Sequence, residues 1–138
     1  MKVLAGVRVL LVGQNDDYWD GLCSLLREDC SLKLVGRAHS AAEALERAHQ
    51  LDPDLVLMDV SLPDGSGFEM AWQLKSFPKP PRVLLLTFHM SHAAEAQALA
   101  AGADGCLAKS EIPHRLLISI ATLLERSQGQ MLAKGTNP

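Results

Sequence analysis

Leu55-Val56-Leu57-Met58-Asp59-Val60-Ser61-Leu62-Pro63-Asp64-Gly65-Ser66-Gly67 is a short apolar run that delivers one carboxylate and then turns. A strand buried on both faces of a parallel sheet reads as about four to eight consecutive apolar residues, and Leu55 to Met58 fits that pattern. Asp59 then stands at the carboxyl end of a central strand, the edge outside which open α/β sheets bind ligands. Pro63, Gly65 and Gly67 mark the loop before the next helix. The bland alternative for Asp59 is a carboxylate that caps this loop.

Working outward, Val7 to Val12 reads as a first buried strand. Asn15-Asp16-Asp17 offers N-cap and first-turn acids for a helix to about Asp29, with Tyr18, Leu22, Leu25 and Leu26 on its buried face. Leu32 to Ala38 is a second strand, and Lys33 and Arg37 place it at a sheet edge. Ser40-Ala41-Ala42-Glu43 fits a capping box for a second helix, ended by Asp52-Pro53. A third helix starts at Ser66 or Gly67 and stops before Pro78-Lys79-Pro80-Pro81. Arg82 to Leu86 is a fourth strand. Ser91 caps an alanine-rich helix over 93–101, with Gly102 at its C′ position. Gly105 to Ala108 is a fifth strand, and a final helix beginning near Glu111 carries Ile112, Leu116, Leu117, Ile120, Leu123 and Leu124 on its core face. Five strands alternating with five helices predict an α/β, doubly wound parallel sheet with right-handed crossovers.

The 138 residues, 48% hydrophobic and 21% charged, suit one domain with a single core. A net charge of −3 and a pI near 5.9 give no basic footprint for direct nucleic-acid binding. Cys23, Cys30 and Cys106 have no CxxC spacing and read as reduced thiols of a cytoplasmic protein, the first two as small core hydrophobes. No apolar run reaches the roughly 18 residues of a membrane span, and Arg8 interrupts the N-terminal stretch before it could be a signal-peptide core.

The central stretch, with Leu84-Leu85-Leu86-Thr87 and Ala101-Gly102-Ala103-Asp104-Gly105-Cys106-Leu107-Ala108-Lys109, resembles the receiver domains of two-component response regulators, above all those that precede a helix-turn-helix DNA-binding domain. The resemblance covers residues 7 to about 126. It implies a flavodoxin-like sheet of order 2-1-3-4-5, with residues 1–126 as the receiver and 127–138 as a flexible C-terminal tail. Position by position, Asp59 is implied as phosphoacceptor, Thr87 as the hydroxyl that follows the phosphoryl group, and Lys109 as its cationic partner. Such a site works by positioning and by neutralising phosphoryl charge, and beyond self-catalysed transfer and hydrolysis at Asp59 no enzyme activity is implied. The implied partners are a sensor histidine kinase or phosphotransfer protein, a downstream output protein, and a second copy in a homodimer, docking on the fourth helix, fifth strand and fifth helix.

Two departures change that expectation. The family ends its first strand on an acid pair that holds Mg²⁺, and here Gly13-Gln14 follows Val12. The remaining metal ligands would be Asp59, the Ser61 carbonyl and at best the Gln14 amide oxygen, so Mg²⁺ should bind weakly or not at all, and acids restored at 13 and 14 should strengthen it. Asp16 or Asp17 as replacement acids is the alternative. Cys106 stands where the family carries an inward-swinging aromatic, which leaves any switching to Thr87 and Phe88. These losses make a phosphorylation-independent pseudo-receiver the second reading. A flavodoxin-like cofactor binder is the third, although Gly13-Gln14-Asn15-Asp16-Asp17 lacks the Ser, Thr and Gly of a phosphate loop. His89 and His92 have no third ligand nearby and read as loop residues.

Overall fold

The computed structural model describes residues 6–13, 16–29, 31–112 and 115–125, the side chains of 16–18 excepted. Gln14, Asn15, Cys30, the side chains of Asp16, Asp17 and Tyr18, and the expected tail 127–138 therefore lie outside the described residues. The chain alternates β1 (Val7–Val12), α1 (Asp16–Glu28), β2 (Leu32–Ala38), α2 (Ala41–Leu51), β3 (Leu55–Asp59), α3 (Gly67–Leu74), β4 (Arg82–Thr87), α4 (His92–Ala100), β5 (Gly105–Ala108) and α5 over 116–125. The five strands pair in parallel in the order β2-β1-β3-β4-β5, the flavodoxin-like order. No helix among the described residues is long and apolar enough to cross a membrane.

Successive strand side chains point to opposite faces, so residue parity sorts the core into two. Val9, Leu11, Leu55, Leu57, Leu84, Leu86 and Leu107 share one face with Trp19, Leu22, Cys23 and Leu26 of α1 and Leu116, Ile120 and Leu123 of α5. Leu10, Val12, Val56, Met58, Val83 and Leu85 share the other with small residues of α2, α3 and α4, among them Ala44, Ala48, Ala71 and Ala98. β3 is buried at all five positions, as its unbroken apolar run requires. At the edge, β2 exposes Lys33 and Arg37.

The caps show local chemistry at work. Ser40 Oγ accepts from Glu43 N–H, whereas the Glu43 carboxylate accepts from His39 N–H at 2.7 Å, one residue before the partner a standard capping box uses. Asp52 closes α2 in the left-handed region at φ 49°. Ser66 and Ser91 cap α3 and α4. Gly102 follows α4 at φ +83° while Ala103 N–H reaches back to Ala98 O, the Schellman arrangement that glycine permits. One boundary differs from expectation. No α-helix begins near Glu111: Lys109–Glu111 is a single 3₁₀ turn and Ile112 is extended at ψ 136°. Ile112 precedes Pro113, whose ring disfavours helical backbone in the residue before it, so α5 follows the proline.

Candidate functional site

Parity and register assemble the site. Asp59 continues Leu55 and Leu57 on the α1/α5 face, and Lys109 continues Leu107 on the same face. At the carboxyl edge the two meet: Lys109 Nζ lies 3.0 Å from Asp59 Oδ1, and the residues are only 8% and 5% exposed. They are the buried charged residues among those described, and a buried charge is tolerated when paired. Lys109 Nζ also lies 4.0 Å from the centroid of the Phe88 ring, which is itself mostly exposed. Val60, Ser61, Leu86, Thr87, Phe88, His89 and Lys109 line a cavity of about 210 Å³ on this edge. The Thr87 hydroxyl is engaged by its own loop, donating to His89 O and accepting from His89 N–H at 3.3 Å each.

Behind Asp59 the neighbour is β1. Val12 pairs with Met58, so the next residues along, Gly13 and Asp59, stand side by side. A Cβ built on Gly13 would lie 2.4 Å from Asp59 Oδ2 and 2.7 Å from Trp19 Cζ2. Trp19 is 2% exposed, with its Nε1 lacking a hydrogen-bond partner among the described residues. The His39 ring covers it at 5.9 Å between centroids, and His39 Nδ1 sits 3.1 Å from Gly13 O.

A family model described as response regulator receiver domain matches residues 9–121. The chain belongs to that family. DevR/DosR of Mycobacterium tuberculosis, a DNA-binding transcriptional activator, is 41% identical over 103 residues, 75% of this chain and 48% of that protein. LnrK of Bacillus subtilis, a transcriptional regulatory protein, is 32% identical over 117 residues, 85% of this chain and 53% of that protein. The receiver thus spans about half the length of these curated relatives. Among solved structures, the signal receiver domain of the NarL response regulator from Mycobacterium tuberculosis superposes with a TM-score of 0.82 at 30% identity, covering 88% of this chain and 98% of that one. Receivers of this family serve phosphorelay signalling, and the likeness to a DNA-binding response regulator covers 75% of this chain.

The receiver fold implies Mg²⁺ beside Asp59, and the described side chains do not fit one. Among them no group of three potential ligands comes together. Asp59 Oδ1 is held by Lys109, Gly13 has no side chain, and Oδ2 and the Trp19 ring already crowd the space where a residue-13 side chain would begin. Gln14 lies outside the described residues, and the exposed Ser61 belongs to a short antiparallel ribbon with Ser66. An acid at position 13 therefore requires the Asp59 carboxylate or the Trp19 ring to shift, and the expectation that acids at both 13 and 14 strengthen Mg²⁺ binding also turns on Gln14, outside the described residues.

Cys106 of this receiver is half-buried against the α2/α3/α4 face and away from the Asp59–Lys109 pair; burial, and after it the Glu95 carboxylate, push its thiol pKa up. Asp64 has a role its place in the loop did not announce: its carboxylate accepts from Ala41 N–H at 2.6 Å and Ala42 N–H at 3.0 Å, capping α2 from outside. Sequence reading also missed Gly13 and Trp19 as a unit. Their signals were the place of Gly13 and Asp59 at the carboxyl ends of two strands, and the Trp19-Leu22-Cys23-Leu26 stripe, which has helical spacing as good as the one centred on Tyr18.

Proposed function

We propose that Asp59 accepts a phosphoryl group from a sensor histidine kinase or phosphotransfer protein and that the cytoplasmic domain passes the signal on through protein contacts. The buried Asp59–Lys109 pair at the carboxyl edge of the sheet carries this reading. An Asp59 carboxylate oxygen forms the new bond to phosphorus while the bond from phosphorus to the donor's imidazole nitrogen breaks, leaving the electron pair on that nitrogen. Lys109 then faces the added negative charge, and the Thr87 hydroxyl exchanges its His89 backbone partners for a phosphoryl oxygen. Residues 1–126 act as the receiver with 127–138 as its tail, and the output partner or a second copy docks on α4, β5 and α5. Incubation with a small phosphodonor labels the wild type and leaves Asp59→Asn unlabelled; equal labelling of both removes Asp59 from its role.

The pseudo-receiver reading is favoured by one observation, the ion pair already closed between Asp59 and Lys109. A ligand shifts a two-state equilibrium only by its differential affinity for the states, so a pair that is closed without phosphate leaves less for phosphorylation to change. Under it, Asp59→Ala and Asp59→Glu self-associate and bind partner within tenfold of the wild type, about 1.4 kcal/mol.

A further inference from the structure

We propose that Trp19 stands in place of the divalent cation in this receiver, its indole acting as a built-in, uncharged plug of the crevice beside Asp59. This deepens the receiver reading and rests on it. The sheet register sets Gly13 against Asp59, and a residue-13 side chain would start within 2.4 Å of Asp59 Oδ2 and 2.7 Å of Trp19 Cζ2, so carboxylate and indole border the same small volume. The ring is 2% exposed and lies beneath His39, which is tied to the Gly13 carbonyl. Magnesium and manganese take oxygen ligands, magnesium giving up its water reluctantly, whereas indole presents a ring edge and an N–H with no lone pair to donate. The other oxygen of Asp59 is already on Lys109. Trp19 thus excludes the cation by volume and by chemistry, and the lysine is left as the counter-charge that the described residues give Asp59.

A tryptophan that merely fills the core has no bearing on cation binding, and Mn²⁺ alone, followed by its electron paramagnetic resonance signal, separates the two roles in the full chain. Wild type and Gly13→Asp bind no Mn²⁺ at the crevice. Gly13→Asp combined with Trp19→Ala gains at least about tenfold in affinity, and a further Asp59→Asn removes the gain. A second arm leaves the crevice untouched: Trp72, 67% exposed, is replaced in Trp72→Phe so that Trp19 is the sole indole emitter. Its fluorescence is expected to stay unquenched as the paramagnetic ion is added, and quenching that is lost in Asp59→Asn overturns the plug even if the combined variant does not fold. The plug is overturned by wild-type Mn²⁺ binding that quenches Trp19 and is lost in Asp59→Asn or in Asp16→Asn/Asp17→Asn. A gain in Gly13→Asp alone equal to that of the folded combination overturns it too, as does no gain in that combination. Labelling at Asp59 is read separately, so a chain that labels but also binds the cation keeps its function and loses the plug.

Discussion

Gly67 and Gly21 look alike in the sequence and stand in opposite situations. A Cβ on Gly67 would meet Asp59 O at 2.4 Å and Val60 Cα at 2.9 Å, both backbone, while one on Gly21 meets nothing within 4 Å. Gly67→Ala therefore forces the end of β3 away from α3, with a loss of about 1–3 kcal/mol. Gly21→Ala, on the exposed side of α1, is expected to add about 0.5–1 kcal/mol by removing a flexible residue from a helix interior. Urea denaturation of the two variants against wild type checks both signs. Asp59 and Lys109 could be nominated from sequence because a charged residue ending an apolar strand is conspicuous. Gly13 could be read as a missing acid beside Asp59, but that Trp19 borders the space it leaves could not, because only the register and the packing of α1 bring the three together.

At the scale of elements, α2 owes its start to a residue from another segment. Asp64 is exposed, and the N–H groups of Ala41 and then Ala42 hold its carboxyl pKa below the ordinary aspartate value. A depressed folded-state pKa contributes stability that is present above the unfolded value and lost as pH falls through the folded one. Wild type should therefore lose more stability than Asp64→Asn on acidification from neutral pH to below 3.8, a difference read as the shift in urea midpoint of each protein. Strands and capped helices were legible because periodicity and Ser caps are local signals. The start of α5 was misplaced by reading the apolar stripe through Ile112 without weighing Pro113, and the Asp64 cap was missed because its partner lies 23 residues earlier.

Across the molecule, the amino end of the sheet is tied by Asp104. Its carboxylate takes Lys75 Nζ at 2.9 Å, Arg82 Nη1 at 3.0 Å and Val83 N–H at 2.8 Å, joining the end of α3 to the starts of β4 and β5. The three side chains are 16–30% exposed, so the cluster is shielded without being sealed. Asp104→Ala leaves two cations and a backbone donor without their acceptor and should cost about 2–3 kcal/mol, measured as a lower denaturation midpoint with the slope unchanged. The all-parallel pairing has a further effect, on the order of assembly. No neighbouring strands of the main sheet can close as a hairpin, and Arg8 N–H finds the Asp54 carboxylate only 46 residues along. As the chain leaves the ribosome, β1 can pair with β2 but must wait for β3 before its second edge is covered, and the loop closure this requires slows the search. Nascent chains arrested before Leu55 would hold an uncovered apolar β1, the stage at which a chaperone has most to shield.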